Sequence, residues 1–406
     1  MTAAHQVVLG VAGGVAAYKA CELLRLFTES GHRVRVVPTA SALRFVGAPT
    51  WAALSGQPVA DTVWEAVHEV PHVRLGQEAD LVVVAPATAD LLAKAAHGLA
   101  DDLLTNTLLT ARCPVVFAPA MHTEMWEHPA TADNVATLRR RGALVVEPAV
   151  GRLTGADTGR GRLPDPVEIF TFARRVLTRG APVADLAGRR VVVTAGGTRE
   201  PLDPVRFLGN RSSGKQGYAL ARTAAARGAR VTLVAANVAL PDPAGVRLVR
   251  VGTTEELRKA TLEAAADADV VVMAAAPADF RPATVADDKI KKVEGGAAPT
   301  ITLVTNPDIA AELGARKQPG QLLVVFAAET TDALANARGK LTRKRADLIV
   351  VNEVGVDKVF GAEHNTVTLL GADGTMTSVT ERPKDDVADA IWDVVRTGLP
   401  HLPVIA

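Results

Sequence analysis

The chain has 406 residues, of which 48% are hydrophobic, and its formal net charge is +1. This length accommodates two ordinary domains with complete cores, and the composition is that of a folded globular protein. The near-neutral charge gives no polyanion-binding surface, so we expect no nucleic-acid partner. Residues 1–6 lack a basic segment before an apolar run, and no apolar run reaches the length of a membrane span. Cys21 and Cys113 are the only cysteines, which argues against a disulfide framework. Together these features predict a cytoplasmic protein without a membrane partner.

Short β-branched runs alternate with helical patterns in the first half of the chain. The predicted strands are residues 7–11, 34–38, 81–85, 115–118 and 144–147. A helical pattern over residues 16–30 ends at Gly31, which is typical of a helix C-terminus. This alternation predicts a doubly wound parallel sheet with helices on both faces.

The strand ends of the first half predict a phosphate-binding site rather than a dinucleotide site. The turn from Gly10 to Gly14 lacks the G-x-G-x-x-G spacing, and hydroxyl residues stand where a ribose-binding acid is expected. Ligands of open parallel sheets bind beyond the carboxyl ends of the strands, and FMN suits this set. The alternative is that small residues at strand ends only make tight turns. The predicted cofactor-binding residues are Gly13, Gly14, Thr39, Ser41, Ala85, Thr88 and Met121.

The second half repeats the pattern after a predicted linker at residues 177–189, which contains Gly180, Pro182 and Gly188. We therefore predict domains at residues 1–180 and 187–406, each an α/β, three-layer Rossmann-like fold. A hairpin at 360–380, closed by Asp373-Gly374, and a helix at 384–397 end the chain. The predicted strands are residues 191–195, 231–235, 270–275, 322–327 and 348–352.

A long polar insert follows the first strand of the second half, and the helical pattern resumes only at about Gln216. We predict a binding loop, because loops of this length are usually functional or disordered. Residues 209–215 satisfy the glycine and lysine spacing of a P-loop. However, Gln216 occupies the place of the Ser or Thr that holds magnesium, so a P-loop NTPase is not predicted.

The segment PAMHTEMW at 119–126 resembles the signature of the FMN-dependent cysteine decarboxylases. Residues 85–90 resemble the flavin loop of these enzymes, and His72 in PHVRL resembles their active-site histidine. The resemblance implies a flavodoxin-like first domain with FMN as cofactor and catalytic roles for His72 and His122. His72 is expected just after a helix-to-strand junction. His122 stands where the family usually has an Asn that grips the substrate carboxylate.

The segment 153–163 resembles the substrate flap of the decarboxylases, with one departure. By our alignment Gly155 stands where the family has a cysteine that protonates the reduced intermediate. Cys113 belongs to a different strand and is a poor substitute. Three alternatives therefore stay open: His122 returns the proton, water returns it, or the first domain is inactive.

The second half resembles phosphopantothenate–cysteine ligase through residues 194–217, AAAPADFR at 274–281, KIKK at 289–292, NPDI at 306–309 and FAAET at 326–330. Nearly the whole chain thus resembles the bifunctional bacterial proteins of coenzyme A biosynthesis. The resemblance implies that CTP activates 4′-phosphopantothenate as an acyl-cytidylate, which cysteine then attacks. It also implies a homo-oligomer in which trimers of the first domain are linked by dimers of the second.

The resemblance assigns roles to individual ligase residues. Lys289 bridges the reacting phosphate, and Asp279 is a partner for Mg²⁺ or ribose. Asn210 handles the acyl-cytidylate, and the alternative is an ordinary turn residue. Lys340 and Lys344, one helical turn apart, present two ammonium groups, and the alternative is a solvated helix end. The implied CTP-binding set is Met273, Ala274, Ala275, Asp279, Lys289, Pro307, Asp308, Ile309, Ala310, Phe326, Lys340 and Lys344.

Two other functions remain as alternatives. The chain could join an active ligase to a flavin-binding module that has lost its decarboxylase activity. A Rossmann-like oxidoreductase that uses NAD is the third hypothesis, and a flavin absorption spectrum would dismiss it.

Overall fold

The computed structural model describes residues 4–59, 71–153, 157–180, 184–291, 300–329, 333–353 and 362–399. The chain divides into two compact units, Met1–Val183 and Ala184–Ala406. The predicted linker is too long, since a helix of the first unit continues to Arg179 and Leu186 is fully buried in the core of the second unit. Among the described residues, no helix is long and apolar enough to cross a membrane.

The first unit contains a parallel sheet and a hairpin. Its strands are β1 Gln6–Val11, β2 Arg33–Pro38, β3 Leu81–Ala87, β4 Val115–Pro119, β5 Leu144–Val145, β6 Ala149–Arg152 and β7 Thr158–Arg162. Its helices are α1 Lys19–Glu29, α2 Ala40–Leu43, α3 Ala48–Ser55, α4 Pro71–Glu78, α5 Ala89–His97, α6 Leu103–Thr110, α7 Thr123–Glu127, α8 Pro129–Arg140 and α9 Pro166–Arg179. A short 3₁₀ helix, Val15–Tyr18, precedes α1.

The strand order of the first sheet is β2-β1-β3-β4-β5, and all pairs are parallel. This is the order of flavodoxin-like folds, in which the direction of winding reverses between β1 and β3. Helices α1, α3 and α9 cover one face, with Trp51 and Phe27 fully buried, and α4, α5, α6 and α8 cover the other. The predicted flavodoxin-like fold is confirmed.

The second unit contains a larger sheet and two short ribbons. Its strands are β8 Arg190–Gly196, β9 Arg199–Pro201, β10 Phe207–Gly209, β11 Arg230–Ala236, β12 Val246–Val251, β13 Val270–Met273, β14 Phe280–Pro282, β15 Leu303–Thr305, β16 Leu322–Glu329, β17 Leu348–Glu353, β18 His364–Gly371 and β19 Met376–Pro383. Its helices are α10 Lys215–Ala226, α11 Thr254–Ala265, α12 Ile309–Arg316, α13 Ala333–Arg343 and α14 Lys384–Gly398.

The strand order of the second sheet is β12-β11-β8-β13-β16-β17-β18-β19. The pairs from β12 to β17 are parallel, whereas β17, β18 and β19 are antiparallel neighbours. The parallel part has the Rossmann order, and its winding reverses between β8 and β13. The predicted terminal hairpin and helix are confirmed as β18–β19 and α14, although the start of the predicted hairpin, at 360–361, lies outside the described residues.

Arg227, at the C-cap of α10, connects both ends of the second unit. Its guanidinium donates to both carboxylate oxygens of Asp185 (2.8 and 2.6 Å) and to Asp393 of α14 (2.9 Å). Only 3% of the side chain is exposed. A buried charge of this kind is tolerated because several acceptors satisfy the fork of the guanidinium.

Several short strands are absent from the sequence prediction. The pair β9–β10 lies inside the insert predicted as an unstructured binding loop, and β14–β15 lies after the 274–279 segment. Each of these strands has three residues, which is too short for alternating hydrophobicity to mark. Strand β12 and the β6–β7 pair were also missed, because their exposed residues give no apolar run.

Candidate active sites

The carboxyl edge of the first sheet gathers the predicted flavin residues. The amide of Ala12 donates to the carbonyl of Pro86 (3.1 Å), and the amide of Thr39 donates to the carbonyl of Val11 (2.9 Å). The amide of Ala120 donates to Ala87 (3.0 Å). These bonds join the turns after β1, β2, β3 and β4, so the structure brings the predicted cofactor residues to one edge at the switch point.

Gly13 is required by the packing of this edge. A Cβ at this position would lie 2.2 Å from the Cβ of Ser41 and 2.7 Å from its backbone carbon. No real side chain makes such contacts without moving the backbone of α2. The turn after β1 therefore approaches the start of α2 closely, and the exposed Ser41 stands next to it.

The two threonines of the predicted flavin site cap helices. Thr39 accepts from the amide of Ala42 (3.2 Å) at α2, and Thr88 accepts from the amide of Leu91 (3.3 Å) at α5. An N-cap leaves the earliest amides of the helix without an intrahelical partner. The edge thus offers backbone donors and hydroxyls, which fit the phosphate of a flavin.

Strand β7, which belongs to the predicted flap at residues 153–163, packs against the segment that contains His122. The amide of Met121 donates to the carbonyl of Gly161 (2.9 Å), and Cβ atoms at Gly159 and Gly161 would collide with Thr123 and Met121. Arg160 of β7 pairs with Glu147 (2.6 Å) and lies over the ring of Trp126. The flap is therefore held close to His122. Gly155 lies outside the described residues.

His122 and His72 occupy different elements. His122 is the N-cap of α7 and is half-buried, and its carbonyl accepts from the amides of Met125 and Trp126. His72 lies inside α4, so the expected position after a helix-to-strand junction is wrong. The carbonyl of His72 accepts from the hydroxyl of Thr110 on α6 (2.7 Å), and its buried Nδ1 has no partner among the described residues.

The cysteines of the first unit are poor proton donors or nucleophiles. Burial raises the pKa of both the Cys21 and the Cys113 thiol, and a backbone hydrogen bond only partly opposes it. Neither side chain belongs to the flap or to the segment that contacts it. Neither thiol therefore suits the proton-donor role that is expected of a flap cysteine.

The carboxyl edge of the second sheet is braced by hydrogen bonds. The amide of Ala275 donates to the hydroxyl of Thr194 (3.0 Å), and the amide of Ala276 donates to the carbonyl of Gly196 (2.8 Å). Asn210 donates through its side chain to the carbonyl of Pro277 (2.8 Å). The predicted binding loop and the 274–279 segment thus meet beside the switch point between β8 and β13.

Lys289 is exposed, and its neighbour Ile290 is fixed to the turn between β9 and β10. The amide of Ile290 donates to Asp203 (3.1 Å), whose side chain also binds the Nε of Arg206 (2.9 Å). The hydrogen bond from Arg206, with further backbone donors, holds the pKa of Asp203 well below its ordinary value. The carboxylate is therefore ionised and anchors the segment that carries Lys289.

Two of the predicted CTP residues, Asp308 after β15 and Lys344 just beyond α13, form an ion pair. Asp308 caps α12 by accepting from Ala311 (3.0 Å), and the ammonium of Lys344 lies 3.0 Å from the same carboxylate. Burial alone would raise the pKa of Asp308, but the Ala311 amide and Lys344 together lower it. Lys344 therefore shares its charge with Asp308 and lies just beyond the end of α13, whereas Lys340 is inside that helix.

The other predicted CTP residues line the same edge. Met273 ends β13 and is buried, and Ile309 and Ala310 begin α12 and are buried as well. Phe326 lies in the second half of β16 and is half-buried, and Asp279 is exposed. Within the described ranges, no three His, Cys, Asp or Glu side chains lie close enough together to hold a metal ion.

The two units match two family models. Residues 1–178 match the Flavoprotein family, and residues 186–399 match the DNA/pantothenate metabolism flavoprotein C-terminal domain. The coenzyme A biosynthesis bifunctional protein CoaBC of Mycolicibacterium smegmatis is 61% identical over 407 residues, which covers 97% of this chain and 98% of that protein. The chain belongs to the CoaBC family. The Vibrio cholerae CoaBC is 42% identical over 396 residues and covers 97% of this chain and 98% of its own length.

The family defines the activities of both units. A CoaBC protein is a bifunctional enzyme of coenzyme A biosynthesis, and this chain accordingly combines a flavoprotein decarboxylase with a ligase. A crystal structure of the C-terminal domain of a CoaBC covers 53% of this chain at 37% identity, with a TM-score of 0.46. The predicted family, the combination of decarboxylase and ligase, and the flavin cofactor are confirmed.

Sequence reasoning missed a buried polar cluster beneath the ligase edge. Thr198, Glu200, Thr254 and Asn306 are between 0% and 8% exposed and are hydrogen-bonded to one another. A signal was available, because Thr253 and Glu256 form the capping box that starts α11 and so identifies the buried first turn at Thr254.

Proposed function

We propose that the CoaBC ligase unit joins 4′-phosphopantothenate to cysteine at the expense of CTP, and that the flavoprotein unit uses FMN to decarboxylate the product to 4′-phosphopantetheine. We assign the ligase to residues 187–406 and the decarboxylase to residues 1–180. The observation that carries the proposal is the position of both motif sets, each at the carboxyl edge of its own sheet beside a switch point.

The ligase must first activate a carboxylate. In the proposed reaction a carboxylate oxygen attacks the α-phosphorus of CTP, and pyrophosphate leaves as the phosphorus–oxygen bond to it breaks. Lys289 lies on a segment that Asp203 fixes to the β9–β10 turn, so its ammonium can be held near the reacting phosphates. Lys340 and Lys344 add positive charge. Fixed cations of this kind stabilise the charge that develops in the transition state.

Cysteine then displaces CMP. The amine forms the amide bond to the activated carbonyl carbon, and the carbon–oxygen bond to the cytidylate breaks. We assign this second step to Asn210, because its side chain already joins the binding loop to the 274–279 segment. Among the described residues Asp279 belongs to no group of three His, Cys, Asp or Glu side chains that could hold a metal ion, so we propose that it shares Mg²⁺ with the phosphates of CTP.

The decarboxylase residues position a cysteinyl substrate. FMN, when bound, supplies the two-electron oxidation of the thiol that lets CO₂ leave, and it returns the electrons afterwards. His122 follows Met121, whose amide binds the carbonyl of Gly161 in the flap, and we assign its imidazole to donate to the substrate carboxylate and later return a proton. The Nδ1 of His72 has no hydrogen-bond partner among the described residues, which suits a proton acceptor that completes its hydrogen bonds only with substrate.

The exposed apolar residues of the second unit support a homo-oligomer. Five large apolar side chains on the two short ribbons, and Ile301 just before β15, are between 37% and 51% exposed: Phe207, Leu208, Phe280, Ile301, Leu303 and Val304. Such a patch is more typical of an interface than of a solvated surface. We propose that the ligase units pair through it and that the decarboxylase units form trimers.

Two free cysteines support a cytoplasmic location.

The sequence of the flap supports a second candidate function, which the following experiment tests. Gly155 in place of the expected cysteine, together with the raised pKa of Cys113, supports a ligase joined to a decarboxylase-inactive flavin module. Incubation with 4′-phosphopantothenate, CTP and cysteine, followed by mass spectrometry, separates the two. We expect phosphopantetheine. Accumulation of phosphopantothenoylcysteine alone would support the second function, and no condensation product would contradict both.

A further inference from the structure

The cluster beneath the ligase edge contains a chain of hydrogen bonds with a fixed direction. Thr254 donates to Glu200 through both its amide (2.9 Å) and its hydroxyl (2.7 Å). Because the hydroxyl proton of Thr254 is used in this way, the 2.9 Å contact between the hydroxyls of Thr198 and Thr254 requires Thr198 as the donor. A carboxylate that only accepts thus orients both hydroxyls.

The far end of this chain is the backbone of the 274–279 segment. The amide of Ala278 donates to the hydroxyl of Thr198 (2.9 Å). The carbonyl of Ala278 accepts from the side chain of Asn306 (2.9 Å), which also donates to Thr254 (3.3 Å). Both polar groups of Ala278 are therefore bound to the cluster.

Asn306 connects the cluster to the start of α12. Its side-chain oxygen accepts from Arg281 (3.0 Å), which fixes the orientation of the amide, and its backbone amide donates to the carbonyl of Asp279 (2.8 Å). Asn306 is followed by Pro307 and by the cap of α12. The cluster thus holds the 274–279 segment and the 306–310 segment at a fixed separation.

We infer that Thr254, oriented by Glu200 and linked through Thr198 and Asn306, is a positioning residue that sets the nucleotide selectivity of the ligase. This inference rests on the proposed use of CTP. A base is distinguished by the spacing of donors and acceptors that meet its edge, and a change of a few tenths of an ångström in that spacing weakens discrimination. Thr254 lies beneath these segments and touches no substrate in this role.

The test compares two buried threonines of the same helix. Thr254→Val removes the hydroxyl that orders the chain. Thr261→Val makes the identical change at a residue that is also fully buried, and whose hydroxyl has no hydrogen-bond partner within the described part of the chain. Pyrophosphate release is measured for each full-length variant with CTP, UTP, ATP and GTP. Flavin content and thermal unfolding are recorded for the same preparations.

We expect Thr254→Val to lower kcat/KM for CTP by about tenfold or more, mainly through KM, and to reduce the preference for CTP over UTP by a similar factor. Thr254→Ser keeps the hydroxyl and should restore both values to within about twofold of the parent. Thr261→Val should match the parent. If Thr254→Val is insoluble, Thr198→Val, which removes both the acceptor for the Ala278 amide and the donor to Thr254, should show the same loss of selectivity.

Two results would overturn the inference. One is a ratio of kcat/KM for CTP to kcat/KM for UTP that is unchanged from the parent in soluble Thr254→Val or Thr198→Val. The other is a fall of this ratio in Thr261→Val as large as the fall in Thr254→Val. The proposed function fails separately, if the parent prefers a triphosphate other than CTP. In that case the comparison of Thr254→Val with Thr254→Ser on the preferred triphosphate still decides the role of Thr254.

Discussion

The two sheet edges of this CoaBC protein are built in different ways. The flavin edge is shaped by backbone: tight turns, a close approach at Gly13 and two threonine caps. The ligase edge is held by side chains, with Asp203, Glu200, Asn210 and Asn306 each tying one loop to another. A flat cofactor requires a surface of the right shape, whereas two successive transfer steps require loops at defined separations. The predictions below test this contrast, from the largest expected effect to the smallest.

His122→Ala should abolish formation of phosphopantetheine while flavin content stays unchanged. Most of the predicted flavin-binding residues lie on other turns, and the neighbouring Met121 is unchanged, but the imidazole of His122 is lost. The measurement is mass spectrometry of the product from phosphopantothenoylcysteine, with the absorption spectrum as the control for bound flavin. His122→Asn should recover substrate binding but remain slow, and turnover of His122→Asn at the parent rate would exclude His122 as the proton donor. Adding Gly155→Cys should then restore turnover.

Lys289→Gln should lower pyrophosphate release by on the order of a hundredfold, the loss typical of one electrostatic group at a reacting centre. The side chain is exposed, so the fold should not change. Lys291→Gln, an exposed lysine two residues away, is the matched control. Release at the parent rate by Lys289→Gln would remove Lys289 from the mechanism.

Asn210→Asp should separate the two ligase steps. A carboxylate cannot donate to the Pro277 carbonyl, whereas the lysines of the first step are untouched. We expect phosphopantothenoyl-CMP to accumulate and to be detectable by mass spectrometry, because cysteine transfer slows more than activation. Equal loss of both steps, without trapped intermediate, would show that Asn210 only shapes the loop.

Gly13→Ala should reduce flavin occupancy about tenfold, since its methyl group would force α2 away from the turn after β1. Gly47→Ala, in the same unit and with only an ordinary 3.6 Å contact, should retain flavin. The ratio of flavin to protein absorbance is the measurement. Full occupancy in Gly13→Ala would contradict the importance of backbone shape at this edge, and ligase activity should be the same in both variants.

Asp308→Asn should have the smallest effect and lower the free energy of unfolding by less than about 1 kcal/mol, because the carboxylate is half-exposed and its ion pair is screened by solvent. Since the folded state lowers the pKa of Asp308, its contribution to stability is present above the ordinary value of about 4 and is lost as the pH falls further. Thermal unfolding from pH 7 to pH 3 should show a difference from the parent that shrinks with acid. A constant difference would contradict the pairing with Lys344.

The parallel sheets of both units could be predicted because buried parallel strands have continuous runs of β-branched residues in the sequence. The edges were predicted as far as they depend on turns, as at Gly13, Thr39 and Thr88. The bracing contacts of the side chains were not predicted, although Asn210 itself was predicted as a site residue. Glu200 has the appearance of a surface residue, and its partner Thr254 is 54 positions away. Lys344 and Asp308 were both predicted as nucleotide residues, but a pairing across 36 positions has no local signal.

The guanidinium of Arg227 reaches Asp185 at the beginning of the second unit and Asp393 in its final helix. The two ends of this unit therefore lie within a few residues' reach of each other. A short peptide could join residue 399 to residue 184, and new termini could then be opened in an exposed turn such as the one at Asp373-Gly374. The ligase is thus suited to circular permutation, which would give a ligase unit with new termini that can be studied without its flavoprotein neighbour.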